Sequence, residues 1–342
     1  DFVCTVCEEV GMEGATGIDV SMLKGKKLLN MDSEEEGVML ASCAGGCRAD
    51  VKLPVERETV SGTKLTVSLS GLTGGHSGSE IDKGRGNANT LMSRLLRDAS
   101  APVAIASIEG GRKDNAIPRE CTAQIIVAPD EAAAVKASIE QAAAEIAEEF
   151  KASDPDLKLT VSEETDCSES AISAKDSARV IALIEALPNG IIRMSREIDK
   201  LVETSLNLGV LKSDDAAVTL RYAVRSSVGV AKKSLKNQLV CIAGAFAAEV
   251  TFEGDYPAWE YKKDSKLRED MVRIFEEMYG KKPTVEAIHA GVECGLLSGK
   301  IEGLDCISMG PDMYDIHTTE ERLSISSAKR SYEYILRVIA CK

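Results

Sequence analysis

The sequence is poor in aromatic residues, in histidine and in positive charge, and it lacks long hydrophobic runs. Phenylalanine, tryptophan and tyrosine make up 4% of its 342 residues, and there are three histidines. Aspartate and glutamate number 55 against 41 lysines and arginines, which gives a net charge of −14. Nucleic acids and anionic membrane surfaces both require a concentrated basic surface, so both are disfavoured as partners. No apolar run approaches the roughly 18 residues that cross a membrane.

The ten cysteines do not indicate a disulfide framework, because they are sparse for a chain of this length. Most lie in apolar segments, such as VCIAGAF around Cys241 and LDCISMG around Cys306. A buried, reduced thiol is the expected state in such segments, and this usage fits a cytoplasmic protein best.

The chain opens at Asp1 and runs at once into the strand-like segment FVCTV. A chain looks like this when its true beginning is absent. We therefore expect further residues upstream of Asp1, and these could include a targeting segment.

Residues 1–48 are the first of three regions that differ in pattern. They hold three short apolar runs, of which two end in acidic residues: one before Glu8 and Glu9, one at Lys27–Met31 before Asp32, and one at Gly37–Ala44. Short apolar runs that stop at acidic residues are typical of buried strands whose ends carry the chemistry.

Residues 49–254 predict an inserted α+β domain. Its first half predicts two helices and four strands: Lys64–Leu69, Asn87–Ala99, Val103–Ile108, Cys121–Val127, Asp130–Ala152 and Leu157–Ser162. The order β-α-β-β-α-β is the ferredoxin-like pattern. A partial second copy follows, with helices at Lys175–Leu187 and Ala231–Ala248 and strands at Leu206–Leu211, Ala217–Val224 and up to Phe252. We interpret this region as one lid-like domain with a doubled core.

The last region, residues 255–342, returns to alternating helices and strands. We expect helices at Ser265–Tyr279 and from Ser326, and strands at Thr284–Ile288 and Asp305–Ser308. Such alternation implies a parallel or mixed sheet with helices on its faces. The predicted architecture is an α/β catalytic domain made of residues 1–48 and 255–342, with the lid domain, residues 49–254, inserted between them.

All three histidines lie in turns expected next to strands. His76 is in GGHSG, His289 in AIHAGVECG and His317 in YDIHTTEE. A single histidine in such a setting is more often structural than functional. Finding all three at strand-flanking loops favours a functional reading for the set.

Glu8 and Glu9 are the strongest candidates for chemistry among the acidic residues. An isolated pair of glutamates is usually a solvated turn. Here Asp32 ends the next predicted strand, and His317 follows another. Carboxylates and an imidazole gathered at strand ends suit zinc, which binds oxygen and nitrogen ligands and keeps a position open for water.

Three other patterns have weaker interpretations. The glycine-rich stretch around His76 lacks the spacing of a phosphate or dinucleotide loop. The pairs Cys4/Cys7 and Cys43/Cys47 have the spacing of a structural zinc site, but Cys7 directly precedes Glu8. Arg225 ends a predicted strand, where an arginine either forms a surface ion pair or clamps a carboxylate with two parallel hydrogen bonds.

Eight segments together resemble a known family. They are TVCEEVGMEGATGID, LLNMDSEEEG, GLTGGHSGSEIDKGRGNANTLMSRLL, DNAIPRE, ETSLNLG, VRSS, HAGVECGLL and DIHTTEERL. In this order, from residue 3 to the C-terminus, they resemble the aminoacyl-histidine, or cytosol non-specific, dipeptidases of the aminoacylase/carboxypeptidase metallopeptidases. The resemblance implies hydrolysis of dipeptides at a two-zinc site.

The resemblance also implies roles for the acidic candidates and His317. Glu8 matches the family's general base. Glu9 and His317 match ligands of one zinc, and Asp32 matches a ligand of the second. Manganese or cobalt could replace zinc.

Other matched residues lie in the predicted lid. His76 resembles the histidine that stabilises the oxyanion, and Asn115 and Arg225 resemble residues that grip the substrate. His289 and Glu293 lie in a motif typical of this subgroup, and no role is assigned to them.

The sequence departs from the family pattern at two places. Cys7 stands where the family has an aspartate before the glutamate pair. The H-x-D motif and the aspartate that bridges the zincs are expected upstream of Asp1, so we expect residues 1–342 alone to be inactive. Related alternatives are a zinc amidohydrolase of N-acyl amino acids and a non-catalytic scaffold. A homodimer through the lid is possible.

Overall fold

The computed structural model describes residues 1–8, 11–316 and 318–341, and within these ranges the chain forms two separate main sheets. The α helices are α1 (Glu13–Gly17), α2 (Ala88–Arg97), α3 (Ala132–Phe150), α4 (Ala174–Ala186), α5 (Gly229–Ala245), α6 (Lys266–Tyr279), α7 (Glu293–Lys300) and α8 (Ile325–Ala340). The strands are β1 (Lys27–Asn30), β2 (Val38–Cys43), β3 (Gly45–Pro54), β4 (Arg57–Ser70), β5 (Gly75–His76), β6 (Ala104–Gly110), β7 (Ala116–Ile117), β8 (Cys121–Val127), β9 (Lys158–Ile172), β10 (Gly190–Met194), β11 (Val202–Ser213), β12 (Ala217–Ser226), β13 (Glu249–Tyr256), β14 (Thr284–Ile288), β15 (Asp305–Ser308), β16 (Met313–Tyr314) and β17 (Arg322–Leu323).

Four of the helices begin at a residue whose side chain accepts a hydrogen bond from the first turn. Asn87 accepts from two backbone N–H groups at the start of α2, and Ser173, Ser265 and Ser324 do the same for one N–H of α4, α6 and α8. These bonds satisfy donors that have no partner within the helix. The sequence therefore specifies where these helices begin.

The smaller sheet has four strands in the order β1-β15-β2-β14. β1 pairs in parallel with β15 and β14 in parallel with β2, whereas β15 and β2 meet in antiparallel fashion at Ser308 and Leu40. Its core includes Met39 and Ile307 of the sheet, Phe275 of α6 and Tyr334 of α8. The sheet is thus mixed and flanked by helices, as the sequence predicts for the α/β part.

The larger sheet has nine strands and is antiparallel at every described pairing. Eight of them follow the order β13-β3-β12-β11-β6-β8-β4-β9, and β10 pairs with β11 at the side. One hydrophobic core joins this sheet to α2, α3, α4 and α5. None of the described helices in either part is long and apolar enough to cross a bilayer.

Residues 1–8 do not form the predicted strand. Cys7 has φ +57°, in the left-handed region, which a strand does not contain. The N–H of Gly14 donates to the carbonyl of Val6, so the segment folds back on α1 instead of pairing with a sheet. The apolar side chains of Phe2 and Val6 are exposed, which is why the apolar run alone gave a misleading pattern.

β3 is absent from the prediction, although its side chains alternate. Ala49, Val51 and Leu53 are buried, and they face the core of the nine-stranded sheet. The two glycines that open β3 hide the strand in the sequence. A second difference concerns Cys241, which is exposed on α5 although its apolar segment predicts burial, whereas Cys306 is buried.

Candidate active site

The connection between β14 and α7, together with the start of α7, contacts several segments that carry or neighbour candidate residues. His289 lies against the nine-stranded sheet. Gly291 packs against the aromatic ring of Tyr256 and the side chain of Met12. A Cβ at position 291 would lie 3.0 Å from Tyr256 Cε2 and 3.2 Å from Met12 Cε. Glu293 Oε1 accepts a hydrogen bond of 2.5 Å from the hydroxyl of Thr5. This short stretch therefore organises the site.

His76 ends β5, a two-residue strand that pairs with β7. Its Nδ1 accepts from the N–H groups of Gly78 and Ser79, at 3.3 and 3.2 Å. A neutral imidazole whose Nδ1 accepts carries its proton on Nε2, so His76 can donate a hydrogen bond from that atom. Burial and the nearby charge of Arg225 lower the pKa of His76, which favours this neutral form.

Asn115 belongs to the same corner of the nine-stranded part. It directly precedes β7, and its backbone carbonyl accepts a hydrogen bond of 2.9 Å from the N–H of Ser77. Its side chain is exposed. Asn115, just before β7, is therefore held next to the strand that ends at His76, and its polar side chain is exposed to a ligand.

Arg225 lies near the end of β12, where it pairs with Ser205 of β11 and with Gly46 of β3. Its Nη1 donates to the hydroxyl of Tyr256 at 3.3 Å, and its buried Nε has no hydrogen-bond partner. A buried guanidinium donor without a partner is costly, and a ligand carboxylate would satisfy it. The charge of Arg225 acts on His76, so the structure brings these two candidate residues near each other, and the role of Arg225 in substrate binding stays a prediction.

His289 is 6% exposed and follows β14. Its Nε2 lies 2.7 Å from the hydroxyl of Ser205. Burial, and to a smaller extent the charge of Arg225, lower the pKa of His289 to about 3. The imidazole is therefore neutral at neutral pH.

Glu8 and Asp32 belong to separate segments near the first turn of α7. Glu8 is half-buried, and its carbonyl accepts from the N–H groups of Gly11 and Met12. Asp32 follows β1 and is exposed. A hydrogen bond with Cys306 and burial raise the pKa of Cys294 in the first turn of α7, and the charge of Asp32 adds to the effect. Asp32 is therefore close to that turn.

Glu9 and His317, the two predicted ligands of one zinc, lie outside the described residues. Asp32 is the one predicted ligand within them. Among the described residues, no three histidine, cysteine, aspartate or glutamate side chains group around a common point, which also argues against the alternative four-cysteine site. The carboxylate of Asp32 is an oxygen donor of the kind that zinc accepts.

The sequence did not predict a role for three residues that contact the candidate residues or their strands. Tyr256 lies in no motif, and Ser205 and His289 lie in matched segments but have no assigned role. Their importance depends on contacts between distant parts of the chain: Ser205 and His289 are 84 positions apart. These contacts become visible only in the folded structure.

Comparison with known proteins places the chain among peptidases. A family described as "Peptidase dimerisation domain" matches residues 67–154, within the nine-stranded part. The chain is 34% identical over 331 residues to the cytosol non-specific dipeptidase of Escherichia coli (strain K12), which covers 96% of this chain and 68% of that protein. The crystal structure of aminoacylhistidine dipeptidase from Vibrio alginolyticus superposes with a TM-score of 0.90 at 32% identity, covering 98% of this chain and 69% of that one.

These findings define the class as a metallopeptidase of the aminoacylase/carboxypeptidase type. More narrowly, the chain belongs to the family of the aminoacyl-histidine, or cytosol non-specific, dipeptidases.

Proposed function

We propose that this protein hydrolyses dipeptides, including Xaa-His dipeptides, at a site centred on the connection between β14 and α7. Residues 289–294, which are this connection and the start of α7, contact both the segment of Glu8 and the loop after His76, and this convergence carries the proposal. The names of the two relatives, a cytosol non-specific dipeptidase and an aminoacylhistidine dipeptidase, support the substrate class.

The proposed cofactor is a pair of zinc ions, with manganese or cobalt as possible replacements. Glu9 and His317 would hold one ion and Asp32 would contribute to the other. When bound, the ions would polarise the scissile carbonyl and lower the pKa of water.

The remaining steps belong to side chains of this chain. Glu8 takes the proton of the attacking water and returns it to the leaving amine. His76 donates from Nε2 to the developing oxyanion, a role that its accepting Nδ1 supports. Arg225 and Asn115 hold the free carboxylate of the substrate, and this limits the substrate to short peptides.

We further propose that the nine-stranded sheet is a lid with two ferredoxin-like halves. The strands lie in the order β9-β4-β8-β6 in one half and β13-β3-β12-β11 in the other. When the strands of each half are numbered along the chain, both orders are fourth, first, third, second, and this shared order supports the proposal. The dimerisation match supports a homodimer through this region. The edge of β6 already pairs with β11, so a second copy would use another surface.

The location that we propose is the cytoplasm, as the name of the Escherichia coli relative suggests. A related zinc amidohydrolase of N-acyl amino acids is the competing activity, and a non-catalytic scaffold is disfavoured because Glu8, Asp32, His76 and Arg225 are all present.

The proposal is tested with the product of the complete reading frame, assayed on a panel of dipeptides beside acetylated amino acids. We expect dipeptides to be hydrolysed, the activity to be lost on chelation, and zinc to restore it. Hydrolysis of acetylated amino acids alone would favour the competing activity, and failure on both classes after loading with zinc, manganese or cobalt would favour the scaffold.

A further inference from the structure

One buried hydrogen bond joins the two sheets beside the proposed site. It runs between Nε2 of His289, in the loop after β14, and the hydroxyl of Ser205 on β11, at 2.7 Å. Both residues are buried, at 6% and 1% exposure. Another hydrogen bond between the two parts, from the N–H of Gly229 to Glu260 at 2.8 Å, is exposed. A hydrogen bond shielded from water holds its partners more firmly than an exposed one.

The backbone of His289 contacts the lid at a second point. A Cβ on Gly78 would lie 2.6 Å from the His289 carbonyl oxygen and 2.9 Å from His76 Cε1. The glycine-rich loop after His76 therefore packs directly on His289. Its closeness is possible because position 78 has no side chain.

Ser205 is also the cross-strand partner of Arg225. Directly paired residues on adjacent strands have neighbouring side chains. Fixing Ser205 therefore fixes the strand pair that carries Arg225. A single residue of the small sheet thus contacts both the loop of His76 and the strand partner of Arg225.

We propose that His289 is a positioning residue that locks the nine-stranded sheet onto the small sheet. It thereby holds His76 and Arg225 in place at the proposed site. Its imidazole Nε2 forms a hydrogen bond with the hydroxyl of Ser205 and makes no contact with the substrate. Misplacement of a binding group by about 1 Å can cost on the order of 10²-fold in rate. The lock therefore matters for turnover, insofar as the proposed dipeptidase activity holds.

The lock persists across the working range of pH because the groups that face His289 keep it neutral. These are the charge of Arg225 and the imidazole of His76, together with burial. The carbonyl of Val202 on β11 acts in the opposite direction, but burial and Arg225 outweigh it.

The test measures the separation of the two sheets directly, so it does not depend on activity. Cys241 on α5 and Cys341 after α8 are both exposed and accept spin labels once the other exposed cysteines are replaced by Cys4→Ser and Cys7→Ser. The distance distribution between the labels is then compared for the parent protein, His289→Ala, Ser205→Ala and the double variant.

We expect each single substitution to broaden and lengthen the distribution, and the double variant to match the singles. His289→Gln, which keeps an amide able to bond the hydroxyl of Ser205, should restore much of the parent distribution. In the complete enzyme His289→Ala should lower kcat/KM at least tenfold, through both kcat and KM, with bound zinc unchanged. Ser226→Ala is the matched control: its buried hydroxyl bonds Thr204 within the nine-stranded sheet, and the distribution should not change.

An unchanged distribution in both His289→Ala and Ser205→Ala would overturn the proposal, as would loss of zinc in His289→Ala. If His289→Ala does not fold, Ser205→Ala decides alone, because it leaves the histidine in place. A normal distance response without dipeptide hydrolysis would instead count against the proposed function and leave the lock intact.

Discussion

Burial and the charge of a single arginine together lower the pKa of both described histidines. Arg225 lies close enough to His76 and His289 for its charge to lower the pKa of both. Because both imidazoles stay neutral, His76 can donate to an oxyanion while its Nδ1 accepts from the backbone. The same arginine has an unpartnered Nε that a substrate carboxylate would satisfy. In the proposed mechanism, one side chain would therefore serve both substrate binding and catalysis.

Glu8 should act as a base and not as a metal ligand. In the product of the complete reading frame, Glu8→Gln should keep its zinc and lose on the order of 10²–10⁴-fold in kcat, the usual contribution of general-base assistance. Metal content and turnover are measured on the same sample. Loss of zinc in Glu8→Gln together with retention in Glu9→Gln would show that the two roles are exchanged.

The buried His289 should make stability depend on pH. Its pKa is about 3 in the folded chain and about 6.5 when unfolded. Between these values the unfolded state binds one more proton, so the free energy of unfolding falls as the pH is lowered, by up to about 1.4 kcal/mol per unit. Above pH 6.5 this contribution is fully present.

Urea unfolding at pH 7 and pH 5 measures this effect against His289→Gln, which cannot titrate. The free energy of unfolding of the parent protein should fall more between the two pH values than that of the variant. Equal losses would mean that His289 is protonated in both states.

The motifs in the sequence predict most of the residue roles, but they do not predict the role of His289. Glu8, Asp32, His76, Asn115 and Arg225 match segments whose order alone indicates the family. His289 acts through Ser205 and the loop around Gly78, and those contacts exist only after the two sheets meet. Sequence pattern carries no information on such a meeting.

At the scale of elements, the loop after His76 should not tolerate a side chain at position 78. Gly78→Ala would bring a Cβ within 2.6 Å of the carbonyl of His289, so the loop must move and carry His76 with it. We expect kcat/KM to fall at least tenfold in the complete enzyme, with little loss of zinc. Gly244→Ala is the control, because that glycine lies in α5 and a Cβ there meets nothing within 4 Å.

Gly244→Ala should leave activity unchanged and raise the free energy of unfolding by less than about 1 kcal/mol, since a helix favours alanine over glycine and Gly244 is the penultimate residue of α5. Equal turnover of Gly78→Ala and the parent enzyme would mean that the packing of this loop does not position His76.

Strands with clear boundaries were predictable, and those defined by distant partners were not. β8, β14 and β15 have the predicted limits because each is a short segment rich in β-branched or apolar residues. β3 escaped because it opens with two glycines and is stabilised by pairing with β12 and β13, far along the sequence. The strand expected in residues 1–8 fails because its apolar side chains have no sheet to cover.

At the scale of the molecule, metal binding should need more than residues 1–342 supply. Glu9 and His317 would give one zinc two ligands, and Asp32 would give the other a single one, whereas a catalytic zinc has three protein ligands. We therefore expect residues 1–342, expressed alone and dialysed against zinc, to hold fewer than two ions per chain. Two tightly bound ions with normal hydrolysis of Ala-His would mean that the active site lies elsewhere.

The central claim is that the proposed site, at the connection between β14 and α7, recognises and cleaves dipeptides with a free carboxylate. Its most direct test compares kcat/KM for Ala-His with that for Ala-His amide, in the product of the complete reading frame and in its Arg225→Ala variant. Loss of a charged hydrogen-bonded partner typically costs about 2–3 kcal/mol, so Arg225→Ala should lower kcat/KM for Ala-His roughly 30- to 150-fold. The amide should lose far less. Equal losses on both substrates, or no hydrolysis of Ala-His by the parent enzyme, would contradict the account.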